Sequence, residues 1–139
     1  MKSKFSSSWL SSVQPRKQRK FIANAPLHVK HSFLSANLSK DLRKKYGKRN
    51  LPLRKGDEVL VMRGSSYKKK AKVVSINLKR SRVALEGLQK TKKDGSKVNI
   101  FFHPSVLQIQ SLFLDDKQRL AALNRKAVKA AKVETPEKK

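Results

Sequence analysis

Apolar and polar residues alternate in several short runs along the middle of the chain. The runs at residues 59–62 and 73–76 are rich in β-branched side chains and are bounded by Gly and Ser, which is typical of half-buried antiparallel strands. We predict that these two runs form a hairpin. Further runs that predict strands lie at residues 82–86, 89–93, 97–102 and 106–110. Turns recurring about every 8–12 residues favour a small β-barrel over an open sheet.

Turn residues punctuate this β unit. Asp94-Gly95 joins two of the runs and is a dipeptide that strongly favours a tight hairpin turn. Gly87 interrupts the apolar pattern, and His103-Pro104 breaks it before the last run. The pattern therefore predicts one small all-β unit over residues 51–112.

A short helix is predicted just before the β unit. Ser39 is a suitable N-cap and Gly47 a suitable C-terminal residue for it. Leu38, Leu42 and Tyr46 are spaced by four and form an apolar stripe, which we expect to dock on the β unit or on a preceding helix.

Two more helices are predicted at the flanks. One spans residues 26–34, with Pro26 in its first turn. The other spans residues 115–131 and is capped by Asp115 or Asp116. Its apolar seam is Leu120, Leu123 and Ala127, and its other faces carry Arg119, Lys126 and Lys129.

Residues 1–24 show no sustained apolar period and are rich in serine, lysine and arginine. Such a composition buries too little surface to offset an ordering entropy of roughly 1 kcal/mol or more per residue. We therefore expect this arm, and the tail at residues 132–139, to be disordered in the free protein. The arm contains a cluster suited to gripping phosphate, although a solvated tail has the same composition: Arg16, Lys17, Arg19 and Lys20.

The net charge of the chain and its distribution limit the kinds of partner that the protein can bind. The 139 residues hold 35 Lys and Arg against 9 Asp and Glu, a formal net charge of +26. Residues 1–50 are predicted to be a basic arm with short helices, residues 51–112 a barrel, and residues 113–139 a basic helix and tail; they carry +12, +10 and +4. Charge spread in this way repels itself unless a polyanion surrounds the protein, so we predict nucleic acid as the partner.

Few residues suit catalysis or metal binding. The chain has no Cys, and its three histidines, His28, His31 and His103, make no metal set. The adjacent acids at 57–58 and 115–116 are expected to diverge on a strand or to cap a helix. No phosphate loop or nucleophile motif occurs. We predict no enzyme, no cofactor and no metal.

Membrane and export signals are also missing from the pattern. No apolar run approaches the roughly 18 residues of a membrane span, and the start has no apolar core of a secretory signal. We expect a soluble intracellular protein with no membrane partner. The basic, serine-rich start leaves a transit peptide open.

Phosphate binding remains as the predicted chemistry. Arg63 and four lysines crowd the tip of the first predicted hairpin, where they must face water or phosphate because burying an unpaired ammonium costs several kcal/mol. Arg80 and Arg82 add planar forks that bind phosphate bidentately. A loop kept solvated by lysine is the alternative interpretation. Alternation puts Phe101 and Phe102 on opposite faces, so that one packs in the core and the other meets a base or another chain.

Motifs along the whole chain resemble those of a known family. Residues 55–59 (KGDEV), Val61, 63–64 (RG) and 72–74 (KVV) are similar to a KOW motif. The flanking motifs, in chain order, are 24–26 (NAP), 38–40 (LSK), 42–43 (LR), 45–46 (KY), 94–95 (DG) and 103–105 (HPS). Over about residues 1–130, this series resembles the archaeal and eukaryotic large-subunit ribosomal protein family numbered twenty-four in the universal scheme and twenty-six in the eukaryotic one.

The resemblance implies a mainly β fold, an SH3-like small β-barrel with short helices and basic extensions at both ends. It implies binding to the 5′ portion of large-subunit rRNA near the peptide exit tunnel, and a role in subunit assembly. It also implies neighbouring ribosomal proteins as partners, no homo-oligomer, and a cytoplasmic location in the ribosome, with nuclear or nucleolar assembly in a eukaryote. The predicted rRNA contacts are Arg16, Lys17, Arg19, Lys20, Lys30, Arg43, Lys44, Lys48, Arg49, Arg54, Lys55, Arg63, Lys68, Lys69, Lys70, Lys72, Arg80 and Arg82.

Three other interpretations use the same residues. A KOW module of a transcription elongation factor is the alternative with the same fold. A reader of peptides would need a cluster of aromatic and acidic residues in one groove, and the predicted barrel offers neither. A DNA-condensing protein would share the basic composition.

The loop lacks two glycines of the family loop, which runs Arg-Gly-x-x-Lys-Gly-x-x-Gly. Lys68 and Ala71 stand at its second and third glycines. Because such glycines serve tight turns that often need positive φ, we expect this loop to bend differently or to carry strain of about 1 kcal/mol or more.

Overall fold

A computed structural model describes residues 5–6 and 12–131, the last six of them as backbone only. The predicted tail at residues 132–139 lies outside the described residues. The helices are α1 (Pro15–Asn24), α2 (Leu27–Phe33), α3 (Lys40–Tyr46) and α4 (Lys117–Ala131), with a 3₁₀ turn at Pro104–Val106. The strands are β1 (Ser35–Leu38), β2 (Asn50–Pro52), β3 (Glu58–Val61), β4 (Lys70–Asn77), β5 (Arg82–Thr91), β6 (Lys97–Phe102) and β7 (Leu107–Ser111).

These strands form one sheet of seven strands in the order β2-β1-β7-β3-β4-β5-β6. Neighbouring strands are antiparallel except β1 and β7, which pair in parallel. The register shifts within the β3–β7, β4–β5 and β5–β6 pairs, and irregularities of this kind bend and twist a strand. The predicted mainly β, SH3-like fold class is confirmed.

An aliphatic core fixes the positions of the hairpin and of α4. In β3, Val59 and Val61 are fully buried, whereas Glu58 and Leu60 between them are half-buried, as strand alternation requires. Burial of each such side chain stabilises the fold by about 1.5–3 kcal/mol. The core continues through Leu34, Leu38, Leu53, Val73, Val83, Leu85, Leu107, Ile109 and Leu123.

Helix α3 forms as its caps predict. The Ser39 hydroxyl accepts a hydrogen bond from the Leu42 backbone N–H at 3.4 Å, and Gly47 ends the helix with φ 60°. Leu42 and Tyr46 pack against the core, so the expected docking is confirmed. Leu38, the first residue of the predicted stripe, belongs instead to β1.

Two strands were not predicted. β1 lies within the segment expected to be a helical arm, and its partners are β2 on one side and β7 on the other. Neither β1 nor β2 exceeds four residues, so their alternation is too short to recognise in the sequence. Their pairing places residues 35–38 in the same sheet as residues 58–111.

The runs predicted as two separate strands at 82–86 and 89–93 form the single strand β5. Gly87 lies inside β5 with φ 71°, and the register with β6 shifts between Ala84 and Gln89. The glycine therefore marks an irregularity within one strand rather than a break between two strands.

Helix α1 corrects the expectation that residues 1–24 lack regular structure. Pro15 occupies its first turn, where proline is favoured. The Phe21 ring lies 4.8 Å from the Phe5 ring and 6.1 Å from the Phe33 ring, centroid to centroid. No residue of α1 is buried, which explains why the apolar pattern gave no signal.

Candidate nucleic-acid interface

The hairpin of β3 and β4 carries five of the predicted phosphate contacts. Glu58 lies opposite Lys72, and Leu60 opposite Lys70. Because side chains alternate along a strand, Lys70 and Lys72 are exposed while Val73 is buried. Both lysines belong to β4, which corrects their assignment to the loop.

Backbone hydrogen bonds close the loop between these strands. Lys68 N donates to Val61 O at 2.9 Å, Val61 N donates to Lys69 O at 3.0 Å, and Tyr67 N donates to Gly64 O at 3.1 Å. Gly64 and Lys68 turn the chain with φ 93° and 64°. A defined backbone therefore positions the cations at the hairpin tip.

The exposed cations of the hairpin are Arg63, Lys68, Lys69, Lys70 and Lys72. Among the described side chains, none of these cations forms an ion pair with a carboxylate, because both ion pairs involve arginines outside the hairpin. Lys68 Nζ lies 5.3 Å from the centre of the Tyr67 ring, which at an exposed site contributes only about 0.5–1 kcal/mol. Although Glu58 lies opposite Lys72, the five cations outnumber this acid, and the hairpin presents clustered positive charge that is complementary to a polyanion.

A second basic surface borders a groove between α1 and the turn that joins β4 to β5. The groove has a volume of about 750 Å³, and its lining includes Phe21 and Phe33. Lys79, Arg80 and Arg82 also line it. The cations of α1 itself are all exposed: Arg16, Lys17, Arg19 and Lys20.

Four of the predicted contacts have partners within the chain. Lys30 Nζ donates to Ala23 O at 3.1 Å, and Arg43 Nε donates to Leu38 O at 2.9 Å. Lys48 Nζ donates to the backbone oxygen of Ala122, and Arg54 pairs with Asp116. These contacts join neighbouring elements. By contrast, Lys44, Arg49 and Lys55 are exposed.

The sequence was compared with known proteins. The family model for eukaryotic L26 and archaeal L24 ribosomal proteins matches residues 12–126. The large ribosomal subunit protein uL24 of Korarchaeum cryptofilum is 42% identical over 124 residues, which cover 89% of this chain and 95% of that relative. The chain belongs to the L26/L24 family of ribosomal proteins.

Two further relatives of this L26/L24 member carry the same name, large ribosomal subunit protein uL24. The protein of Methanosphaera stadtmanae is 45% identical over 83% of this chain and 98% of its own length. The protein of Sulfolobus acidocaldarius is 46% identical over 83% of this chain and 86% of its own length. The resemblance read from the motifs is confirmed, and a transcription elongation factor is not favoured.

The two glycine replacements in the L26/L24 loop differ in effect. Lys68 adopts φ 64°, the left-handed conformation that glycine adopts without strain and that costs an L-residue about 1–2 kcal/mol. Ala71 lies in strand β4 opposite Val59, where no positive φ is required. The predicted strain is therefore found at one of the two positions.

A second lysine-rich hairpin was missing from the predicted contacts of this L26/L24 member. The exposed ends of β5 and β6 and their connection carry Lys90, Lys92, Lys93 and Lys97. At the turn, the Ser96 hydroxyl and backbone N–H donate to Asp94 Oδ1 at 2.6 and 2.8 Å. These bonds lower the pKa of Asp94. The lysines that flank Asp94-Gly95 in the sequence could have indicated this second basic hairpin.

A buried ion pair joins α4 to the sheet and was also missed. Asp57 is fully buried and Arg119 is 5% exposed, contrary to the expectation that Arg119 lies on an exposed basic face of the helix. Arg119 Nη1 and Nη2 donate to the two carboxylate oxygens of Asp57 at 2.6 and 2.7 Å. Arg54 N and Phe113 N donate to the same carboxylate at 2.8 and 3.0 Å. The Asp of the KOW-like motif thus joins three parts of the fold: its own turn, the segment at Phe113 and helix α4.

Two negative findings apply to the described part of the chain. It contains no group of three or more His, Cys, Asp or Glu side chains placed to hold a metal ion. None of its helices is both long and apolar enough to cross a membrane.

Proposed function

We propose that this L26/L24 member is a structural constituent of the large ribosomal subunit that binds rRNA. The observation that carries the proposal is the exposed β3–β4 hairpin, where five cations form no ion pair with a carboxylate among the described side chains. The net charge of +26 supports it, because so basic a chain is stabilised by a surrounding polyanion.

The proposal extends to the exposed cations outside the hairpin. Those of α1, the β4–β5 turn and residues 44, 49 and 55 contact rRNA phosphates from other sides of the sheet. Four cations already donate hydrogen bonds to partners within the chain, and they bind RNA with their remaining N–H groups: Lys30, Arg43, Lys48 and Arg54. We also propose that the chain divides into an arm at 1–50, a barrel at 51–112 and a helix with its tail at 113–139. The arm contributes strand β1 to the sheet.

The family suggests the finer features. Binding involves the 5′ portion of large-subunit rRNA near the peptide exit tunnel and aids subunit assembly. Neighbouring ribosomal proteins are further partners, the protein does not form homo-oligomers, and it acts without catalysis. Its place is the ribosome in the cytoplasm, with nucleolar assembly if the source is a eukaryote.

Charge reversal at the hairpin tip tests the proposal. If the hairpin neutralises about five phosphates, it contributes roughly −3.5 to −4.5 to the slope of log K against log salt. Replacing Lys68, Lys69 and Lys70 together by Glu should weaken binding to large-subunit rRNA and flatten this slope by about 2–3. The variant with Arg at the same three positions keeps the charge and serves as the matched control.

The salt titration has a clear contrary outcome. A Glu variant whose slope equals that of the wild-type protein would mean that the hairpin tip does not contact RNA. In cell extract, the protein should sediment with large subunits, and ribonuclease should release it. Retention on chromatin after ribonuclease treatment would favour a DNA-condensing protein instead.

A further inference from the structure

Phe101 is an exposed aromatic side chain on strand β6. It is 49% exposed, whereas its neighbour Phe102 packs against the core. Its cross-strand neighbour is Ala84, whose methyl group is too small to cover the ring. Among the described side chains, Phe101 has no aromatic or cation–π partner. An exposed ring of this kind is well suited to stacking.

Two arginines and an asparagine share a cavity with this ring. Asn77, Arg80, Arg82 and Phe101 line a space of about 450 Å³, within the range of roughly 300–1,000 Å³ that small-ligand sites occupy. Both arginines are exposed and offer planar donors that match a phosphate. The cavity therefore combines an apolar stacking surface with positive charge.

The backbone of the β4–β5 turn holds these groups together. Asn77 lies opposite Arg82 in the ladder, and its side-chain oxygen accepts a hydrogen bond from Arg80 N at 3.0 Å. This bond fixes the side chain and leaves the amide NH₂ as a donor. Ser81 adopts φ 50°, a conformation that is unfavourable for a residue other than glycine and that often occurs at functional sites.

We propose that this cavity captures one unstacked nucleotide of RNA. Its base stacks on Phe101, the Asn77 amide donates to an acceptor on the base edge, and Arg80 and Arg82 bind the flanking phosphates. Single-stranded loops and bulges present bases in this way, and proteins recognise them by stacking on aromatic rings. The inference rests on the proposed rRNA binding and adds a class of target, an unpaired nucleotide.

Replacement of Phe101 separates stacking from charge. Phe101→Ala should weaken binding of the full-length protein to large-subunit rRNA by about 5- to 150-fold, with an unchanged salt slope because no cation is lost. Phe101→Leu should lose a similar factor, since it keeps apolar volume without a ring, and Phe101→Trp should bind as the wild type. Arg80→Ala with Arg82→Ala should instead flatten the slope by about 1.4–1.8.

Val98→Ala is the matched control, because Val98 is a 40% exposed apolar residue on the same strand and should leave affinity unchanged. Ultraviolet crosslinking of the wild-type complex should join Phe101 to a nucleotide that is unpaired in the rRNA. Affinity of Phe101→Ala within twofold of the wild type, or a crosslink to a paired nucleotide, would overturn the inference.

The outcomes also separate this inference from the proposed function. If the wild-type protein fails to bind large-subunit rRNA, the proposed function fails. If the wild type and Phe101→Ala bind equally while the hairpin Glu variant does not, only the nucleotide site is rejected. Normal rRNA affinity with impaired incorporation of Phe101→Ala into large subunits would assign this face to a protein partner, and would likewise reject the site.

Discussion

Removal of Arg119 tests the buried ion pair that attaches helix α4 to the sheet. Arg119→Met keeps an unbranched side chain of similar length but removes the two donors that lie 2.6 and 2.7 Å from the Asp57 carboxylate. The carboxylate, which is fully buried, would keep only the backbone donors of Arg54 and Phe113. It would then be a buried charge without its counter-charge.

The expected magnitude follows from that burial. Removing one partner of a buried ion pair lowers the free energy of unfolding by about 3–5 kcal/mol, which is about a fifth or more of a typical domain's roughly 5–15 kcal/mol. Asp57→Ala should cost at least as much, because it also leaves Arg54 N and Phe113 N without an acceptor, at about 1–3 kcal/mol each. The double variant should be little worse than Asp57→Ala alone, which gives a large coupling energy.

Urea denaturation followed by circular dichroism measures these differences. Two arginines serve as controls. Arg125→Met removes an exposed arginine from the same helix, and Arg54→Met breaks a pair whose side chains are 38% and 27% exposed. Solvent screening should hold both losses under about 1 kcal/mol. A loss below about 1 kcal/mol for Arg119→Met, or a coupling energy near zero, would refute the assignment of this pair as the attachment of α4.

Three further predictions concern turns. Lys68→Gly should raise the free energy of unfolding by about 0.5–1 kcal/mol, because relief of left-handed strain exceeds the entropy that glycine adds to the unfolded chain; a loss of stability would contradict this. Gly56→Ala and Gly64→Ala both place Ala at positive φ (90° and 93°), but only at Gly56 would the new Cβ meet an aromatic ring, at 3.2 Å; urea unfolding should show Gly56→Ala to be the worse by about 1 kcal/mol or more. By NMR titration, the Asp94 pKa should lie below 3.8, and Ser96→Ala should raise it. Because folding lowers this pKa, the bonds stabilise the protein above the unfolded pKa, and their contribution is lost as pH falls through the folded pKa.

Local signals predicted much of the fold. The caps of α3, the Asp94-Gly95 turn and the alternation of β3 and β4 each depend on residues a few positions apart. The loop departure at Lys68 was also readable, because a residue at a family glycine must either avoid positive φ or bear its strain. The exposure of the basic hairpin was predicted as well, because burying an unpaired charge is costly.

Other features depended on partners far along the chain. Alternation placed Phe101 and Phe102 on opposite faces, but only the packed sheet shows that Phe102 faces the core. Strand β1 is stabilised by pairing with β7, which lies at the other end of the β unit. No pattern within β1 itself distinguishes it from a loop.

The amino-acid sequence by itself determined the basic character, the β unit, the family and every helix except α1. The tertiary structure alone decided which charges are buried and which are presented. In the sequence, Arg119 resembles the other cations of a basic helix. In the structure it is buried, because it pairs with the carboxylate of Asp57, which lies 62 residues away in the chain. The physical reason is that turns and caps are set by neighbouring residues, whereas burial of an ion pair is set by whatever the whole fold brings into contact.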